Sequence, residues 1–140
     1  MKQAFHVLLI SAAMTAAPAA FANGSLFDRM GGAPVLAKVV DQFLDLNIAD
    51  PRTRRSFQKI NLKRLREKLN EHFCTLSNGP CQYSGDGMKE VHAGLDITDA
   101  EFNGLVEHLI TALDTNGVGL REKNELLKLL APMKRDVVTK

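Results

Sequence analysis

Apolar residues recur at spacings of three and four in every patterned segment of the chain after residue 22, and this periodicity restricts the fold more than any other feature. The clearest stripe consists of Leu62, Leu65, Leu69, Phe73 and Leu76. Such spacing is typical of an amphipathic helix that buries one face. These segments lack the alternation of apolar and polar residues that indicates a half-buried strand. The sequence therefore predicts an all-α fold.

Capping residues and helix breakers divide this region into four substantial helices and two short ones. Asn61 is a suitable N-cap for the helix that carries the stripe, and Thr98–Glu101 form a capping box for the next long helix. Pro132 is expected to bend the last helix. The predicted helices lie at about 26–30, 34–47, 62–76, 88–93, 98–116 and from 120 onward. We expect them to pack as antiparallel pairs.

The first 22 residues have the features of a secretory signal peptide. A positive start at Met1-Lys2 precedes an apolar run, and Ala20-Phe21-Ala22 provides a small-x-small cleavage site. A membrane anchor is the weaker interpretation, because the run is shorter than the roughly 20 residues of a span. We expect cleavage after Ala22, a single domain at 23–140 and export to the bacterial periplasm. No membrane association is expected once the signal is removed.

The chain has two cysteines, Cys74 and Cys81, and both lie in the predicted mature domain. Disulfides persist in oxidising compartments, so the sequence predicts a Cys74–Cys81 bridge. A redox-active dithiol is the alternative interpretation, but the C-x-x-C spacing that is typical of such sites is absent.

Composition and charge exclude two classes of protein. Apolar residues make up 45% of the chain and charged residues 24%, which is too apolar for a disordered protein and ordinary for a globular one. The formal net charge is only +2, and the basic residues are spread along the chain rather than clustered. We therefore expect no nucleic-acid partner.

Three histidines lie in the predicted mature domain, and His92 is the strongest candidate for binding chemistry. The spacings of His72, His92 and His108 do not match the short ligand pairs of a zinc site. We expect structural roles for His108, on a long helix, and for His72, at the edge of the apolar stripe. His92 follows Met88 and Val91 on a short helix between glycine-containing loops, where a flat apolar ligand would fit against the stripe. From the residues alone, a buried structural histidine is the alternative interpretation.

Four motifs occur in order over residues 26–137: Phe27-Asp28-Arg29-Met30-Gly31-Gly32-Ala33-Pro34, Asn78-Gly79-Pro80 with Tyr83-Ser84-Gly85, Met88-Lys89-Glu90-Val91-His92 with Gly94 and Ile97-Thr98, and Leu130-Ala131-Pro132. In this combination the chain resembles the group I truncated haemoglobins. The resemblance implies a two-over-two helical sandwich around haem b, with His92 as proximal iron ligand and Phe57 packed on the macrocycle. The further haem contacts that it implies are Leu62, Leu65, Phe73, Tyr83, Met88, Ile97, Phe102, Leu126 and Leu130.

The chain departs from the family on the distal side of the haem. Leu44 stands where many members have tyrosine, and Leu65 and Leu69 stand where one or two glutamines occur. Bound oxygen is stabilised by hydrogen-bond donors, so their absence disfavours tight oxygen storage and efficient nitric-oxide dioxygenation. A pocket of Leu44, Leu65, Leu69 and Leu105 is still expected to accept carbon monoxide or nitric oxide.

Lys68 is the polar residue of this helix that is expected to reach the haem edge, because a lysine stem can cross apolar surface. The resemblance offers two roles for it: pairing with a haem propionate, or providing a sixth ligand to the iron. Ligation requires the neutral amine, so burial would have to lower the pKa of Lys68. We therefore expect the propionate pairing.

The predicted function is binding of haem and of oxygen, nitric oxide or carbon monoxide. Three alternatives stay open: a six-coordinate haem protein in electron transfer or nitrite chemistry with a periplasmic redox partner, a gas sensor, and a haem-free helical protein that binds an apolar ligand. No distal acid–base residue that could assist a reaction at the iron is evident in the sequence.

Overall fold

A computed structural model describes residues 23–140, and every regular element in that range is helical. The α-helices are α1 (Leu26–Arg29), α2 (Gly32–Ala49), α3 (Leu62–Leu76), α4 (Met88–Val91), α5 (Asp99–Thr115), α6 (Leu120–Leu130) and α7 (Lys134–Val137). Short 3-10 turns occur at Arg54–Phe57 and Ala131–Met133. The all-α prediction is confirmed. The predicted signal peptide, residues 1–22, lies outside the described residues.

Helix α3 has the predicted boundaries because both of its ends are fixed locally. The side chain of Asn61 accepts a hydrogen bond from the Arg64 N–H at 3.0 Å, which satisfies one of the free donors of the first turn. At the other end the Ser77 N–H donates to the Phe73 carbonyl at 3.1 Å. The helix is thereby long enough to contact both the core and the site described below.

Helix α5 starts at the predicted capping box. The Thr98 hydroxyl oxygen accepts from the Glu101 N–H at 3.2 Å, and the Glu101 carboxylate accepts from the Thr98 N–H at 2.9 Å. The helix ends before Gly117, whose φ of +76° is the left-handed conformation that glycine adopts without strain.

The α-helical pattern of the C-terminal region is interrupted at Pro132. Helix α6 ends at Leu130, the next three residues form a 3-10 turn, and α7 follows. Proline has no N–H to donate, so the α-helical hydrogen-bond pattern cannot continue through it. Within residues 23–140, no helix combines the length and the apolar composition that a membrane-spanning segment needs.

Helix α2 lies at the centre of the hydrophobic core and packs against α3 and α5. Its buried face includes Val39, Val40, Phe43 and Leu44. The Phe43 ring meets the Phe73 ring of α3 edge-to-face, with centroids 6.5 Å apart. This core fixes the orientation of α3, and α3 in turn positions the site.

His108 has the structural role predicted for it. Its Nε2 atom lies 2.9 Å from a carboxylate oxygen of Asp50, the residue that ends α2. Hydrogen bonds from Arg52, and a further one from His108, hold the pKa of Asp50 at about 2. His108 therefore links α5 to the end of α2.

Candidate functional site

Residues from α3, α4, α5 and the Arg54–Phe57 turn line a cleft of about 330 Å³. Most of the lining side chains are apolar, and the volume lies in the range of small-molecule and cofactor sites. The predicted site residues that the structure brings together here are Phe57, Leu65, Lys68, Leu69, Tyr83, Met88, His92, Ile97, Phe102 and Leu105. Residues that are distant in the sequence thus line the same cleft.

Five predicted site residues do not line the cleft: Leu44, Leu62, Phe73, Leu126 and Leu130. Leu44 and Leu126 are completely buried in the core, and Phe73 is 4% exposed there beside Phe43. Leu130 packs against the same core, and Leu62 is half-buried in the first turn of α3. The physical reason is that Leu44 and Phe73 face other helices of the core. Helix α6, which carries Leu126 and Leu130, contributes no residue to the cleft wall.

His92 is the C-cap of α4, and its imidazole orientation is fixed by the helix that it ends. The Nδ1 atom lies 2.7 Å from the Met88 carbonyl oxygen, and the His92 backbone N–H donates to the same oxygen at 3.2 Å. A carbonyl oxygen can only accept, so Nδ1 carries the proton. The lone pair of Nε2 is therefore available to bind a metal, an arrangement common among metal-binding histidines.

Two exposed apolar side chains support an apolar ligand in the cleft. Ile60 is 37% exposed and Val91 is 42% exposed, and both line the cleft. A flat apolar group between α3 and α4 would cover them and remove their contact with water. Haem combines such a group with an iron that binds imidazole, so the residues present fit haem.

Lys68, which lines the cleft, forms a polar cluster with Glu71 and Ser84, which we call the α3–loop clamp. The Lys68 ammonium donates to the two carboxylate oxygens of Glu71, at 3.0 and 2.9 Å, and to the Ser84 hydroxyl. Glu71 also accepts from the Ser84 N–H at 3.0 Å. The Lys68 hydrogen bond, with those from Ser84, holds the pKa of Glu71 at about 2. The clamp ties the loop before α4 to α3.

A second polar cluster, the Arg55 bridge, fixes the loop that follows His92. The guanidinium of Arg55 donates to the carbonyls of Leu95 and Asp96, at 3.1 and 3.0 Å, and to the Glu101 carboxylate. Hydrogen bonds from Arg55, and others from Thr98, hold the pKa of Glu101 at about 2. The bridge connects the Arg54–Phe57 turn, the loop after His92 and the start of α5.

The predicted disulfide is present in the structure and joins Cys74 of α3 to Cys81. Cys74 is buried in the core, whereas Cys81 lies in the exposed loop. Tyr83, a residue of the cleft wall, follows two positions later. The bridge therefore anchors the loop close to the cleft.

His72 lies in the cleft wall, a position that the sequence pattern did not predict. The imidazole stands 5.0 Å from the Tyr83 ring and 6.1 Å from the Phe73 ring, measured between centroids. Burial lowers the pKa of His72. A signal was available, because His72 follows Lys68 by four residues and therefore shares its side of the helix. The cleft residues Ser56, Ile60 and Val91 were missed as well.

The chain is similar to known proteins over most of its described length. The family model described as "Bacterial-like globin" matches residues 25–139. The group 1 truncated hemoglobin GlbN of Mycolicibacterium paratuberculosis is 36% identical over 115 residues, which cover 82% of this chain and 85% of that protein. The group 1 truncated hemoglobin of Tetrahymena thermophila is 25% identical over 83% of this chain and 96% of its own length.

Solved structures show the same fold. The Fe(III) form of the truncated hemoglobin from Tetrahymena pyriformis matches with a TM-score of 0.79 at 24% identity, covering 84% of this chain and all of that chain. The 2/2 hemoglobin from Synechococcus matches with a TM-score of 0.77 at 21% identity and the same coverage. The two-over-two architecture that the resemblance implied is confirmed. The chain belongs to the bacterial-like globin family and is a haem-binding globin of the group 1 truncated haemoglobin type.

Proposed function

We propose that the chain binds haem b through His92 Nε2 and holds a diatomic gas on the side of the haem that faces α3. The observation that carries this proposal is the Nδ1 contact with the Met88 carbonyl, which leaves Nε2 free for a metal. The apolar side chains that line the cleft around His92 add support, because they can pack against the apolar faces of a haem.

Haem, when bound, supplies the iron at which a diatomic gas can be held. The protein contributes the pocket and its selectivity. Phe57 and Phe102 provide aromatic surface for the macrocycle, while Leu65, Leu69 and Leu105 give the gas side an apolar lining. Nitric oxide and carbon monoxide depend less on hydrogen-bond donors than oxygen does, so these leucines favour them.

We propose that Lys68 pairs with a haem propionate. Its amine forms an ion pair with Glu71 and donates to Ser84, so a propionate would replace one of these acceptors while Lys68 keeps its charge. Arg64 also lines the cleft and makes no ion pair within residues 23–140, so it is a second cation for a propionate. The six-coordinate alternative requires Lys68 to leave the α3–loop clamp and lose its proton.

The test is a titration of the purified protein with haem, followed by absorption spectroscopy. We expect a specific haem spectrum in the wild type, loss of proximal coordination in His92→Ala, and an unchanged result in Lys89→Ala. Lys89 is the matched control because it lies on the same short helix, is exposed and does not line the cleft. Absence of a specific haem spectrum in the wild type would support the haem-free alternative and contradict the proposal.

The Lys68→Ala variant decides between the two roles of Lys68. With propionate pairing, the oxidised iron has a high-spin spectrum in both the wild type and the variant, and haem is released faster from the variant. A low-spin wild-type spectrum that becomes high-spin in Lys68→Ala would instead make Lys68 the sixth ligand. That result would favour redox work with a periplasmic electron-transfer partner.

We further propose that residues 1–22 direct export and that the globin domain, 23–140, acts in the periplasm. The apolar run and cleavage site support export, and a disulfide is the cysteine state that an oxidising compartment maintains. Cell fractionation with N-terminal sequencing tests this: a periplasmic protein that begins at Asn23 is expected. A full-length cytoplasmic protein would contradict the proposal.

A further inference from the structure

His72 has unused hydrogen-bonding capacity at the cleft wall. Its Nε2 atom is buried, and no residue in the described part of the chain provides a hydrogen-bond partner for it. Buried side-chain nitrogen and oxygen atoms in folded proteins nearly always have such a partner, whether from the protein, water or a ligand. The unpaired nitrogen therefore points to a partner that the protein itself does not supply.

The other neutral polar groups of the wall are mostly engaged within the fold. The Thr53 hydroxyl donates to the Asn47 carbonyl at 2.9 Å, and the side chain of Asn61 caps α3. The Tyr83 hydroxyl donates to the Asp86 carbonyl at 2.8 Å. These groups have little capacity left for a ligand.

Ser56 is the other wall residue whose buried polar side-chain atom has no partner within 23–140. A serine hydroxyl rotates freely, and in a helical turn it can bond to a backbone carbonyl of the preceding turn. The imidazole of His72 has no such local partner, and the rings of Tyr83 and Phe73 stand beside it. Of these two residues, His72 is therefore the better candidate for a hydrogen bond to a bound ligand.

We propose that His72 hydrogen-bonds the diatomic ligand in the cleft and is a specificity-determining residue of the site. This inference rests on the proposed function, haem and gas binding. His72 replaces the donors that Leu65 and Leu69 lack, because all three residues lie on the cleft side of α3. Retention of oxygen then depends on one imidazole rather than on the tyrosine and glutamine donors of other family members.

The state of the imidazole suits this role. Burial lowers the pKa of His72, so the ring is neutral at neutral pH and carries one N–H donor. A neutral donor stabilises a polarised gas molecule without placing a charge in an apolar pocket. Nε2 is the buried ring nitrogen without a partner, so the tautomer that carries its proton on Nε2 donates to the gas.

The test compares the wild-type holoprotein with His72→Phe and Ser56→Ala. Phenylalanine keeps an aromatic ring between Tyr83 and Phe73 but removes both nitrogens. We expect the stretching frequency of added carbon monoxide to rise in His72→Phe, and oxygen to dissociate about tenfold faster, the effect of losing one hydrogen bond. Lys89→Ala, which lies outside the cleft, is the control and is expected to leave both values near those of the wild type, while Ser56→Ala tests the competing wall residue.

Each other outcome contradicts a defined claim. If the carbon monoxide stretching frequency and the oxygen dissociation rate are unchanged in a haem-loaded His72→Phe variant, His72 does not bind the gas, although haem binding stands. If only Ser56→Ala changes these values, Ser56 is the residue that binds the gas. A wild type that binds no haem would overturn both this inference and the proposed function. His72→Leu provides a second apolar variant if circular dichroism shows that His72→Phe is misfolded, and His72→Gln is expected to restore part of the slow oxygen release.

Discussion

The two walls of the cleft are built in different ways. The α3 wall is a 15-residue helix that is capped at Asn61, buries Phe73 and Cys74 in the core and carries the disulfide. The α4 wall contains a helix of four residues, none of which is buried, and Val91 remains 42% exposed. The α3 wall is therefore shaped by the fold itself, whereas the α4 wall gains much of its apolar contact only when a ligand covers it.

Because of this difference, the two walls are expected to contribute to different properties of the protein. Residues that position α3 contribute to the stability of the protein without haem, because they belong to the core. Residues of α4 and its loops contribute mainly to haem affinity, because a ligand that binds only the folded state stabilises the regions it contacts. Mutations in the two walls are thus expected to separate stability from haem retention.

The largest effect on stability is expected for Phe73→Ala. Phe73 is 4% exposed and packs edge-to-face on Phe43, so the truncation leaves a cavity in the core and lowers the free energy of unfolding by about 3–5 kcal/mol. Phe102→Ala is the matched variant, because Phe102 is half-buried and lines the cleft. It should destabilise the haem-free protein less but release haem faster. Urea unfolding and haem-transfer rates measure the two effects, and the reverse ranking in urea would contradict the comparison.

The next largest effect on stability is expected when the disulfide of the α3 wall is removed. The double variant Cys74→Ala/Cys81→Ser is expected to lose about 2–3 kcal/mol of stability, because the unfolded chain regains the freedom of the closed loop. Chemical unfolding with and without reductant measures this loss. Reductant should lower the stability of the wild type to a similar extent and leave the variant unchanged. Equal stability of the oxidised wild type and the variant would show that the bridge does not hold this wall.

The helices could be predicted from the sequence because their signals are local. The Asn61 cap and the Thr98–Glu101 box act within one turn, so the boundaries follow from a few neighbouring residues. The wall of the cleft depends on which helix lies opposite each side chain. The apolar spacing that includes Phe73 is the same whether its side chain meets a core helix or a ligand. The same holds for Leu44. Only tertiary packing places both in the core.

His72 shows the opposite limit of sequence analysis. A polar residue beside an apolar stripe usually lies at the exposed edge of that stripe. We therefore expected a structural role for His72, which instead lies in the cleft wall. His92 became the candidate iron ligand because the family resemblance added information that the spacing alone did not contain. Local patterns thus identify faces of helices, but they do not identify what those faces meet.

A smaller effect is expected at the Arg55 bridge when the pH falls. The pKa of Glu101 is about 2 in the folded protein and near 4.5 when unperturbed, so the folded state prefers the carboxylate. The stabilisation is complete above about pH 4.5 and is lost as the pH falls from there towards 2. Glu101→Gln should therefore reduce the decrease in melting temperature of the haem-free protein over this interval. Asp50 and Glu71 titrate in the same range, so part of the decrease is expected to remain. Identical acid profiles for variant and wild type would exclude a contribution from the bridge.

The smallest effect is expected at the α3–loop clamp, where the two walls are directly connected. Glu71→Gln weakens the bonds to Lys68 and Ser84 without changing the core, so hydrogen exchange at the Ser84 amide should become several-fold faster while the melting temperature hardly changes. Glu67→Gln is the control, because Glu67 is exposed on the same helix and has no ion pair within residues 23–140. Faster exchange in the Glu71 variant alone would show that the loop is held to α3 by this carboxylate. Equal exchange in both variants would leave the disulfide as the main connection between α3 and the loop. The loop would then be held through Cys74 in the core, and not by the carboxylate of Glu71.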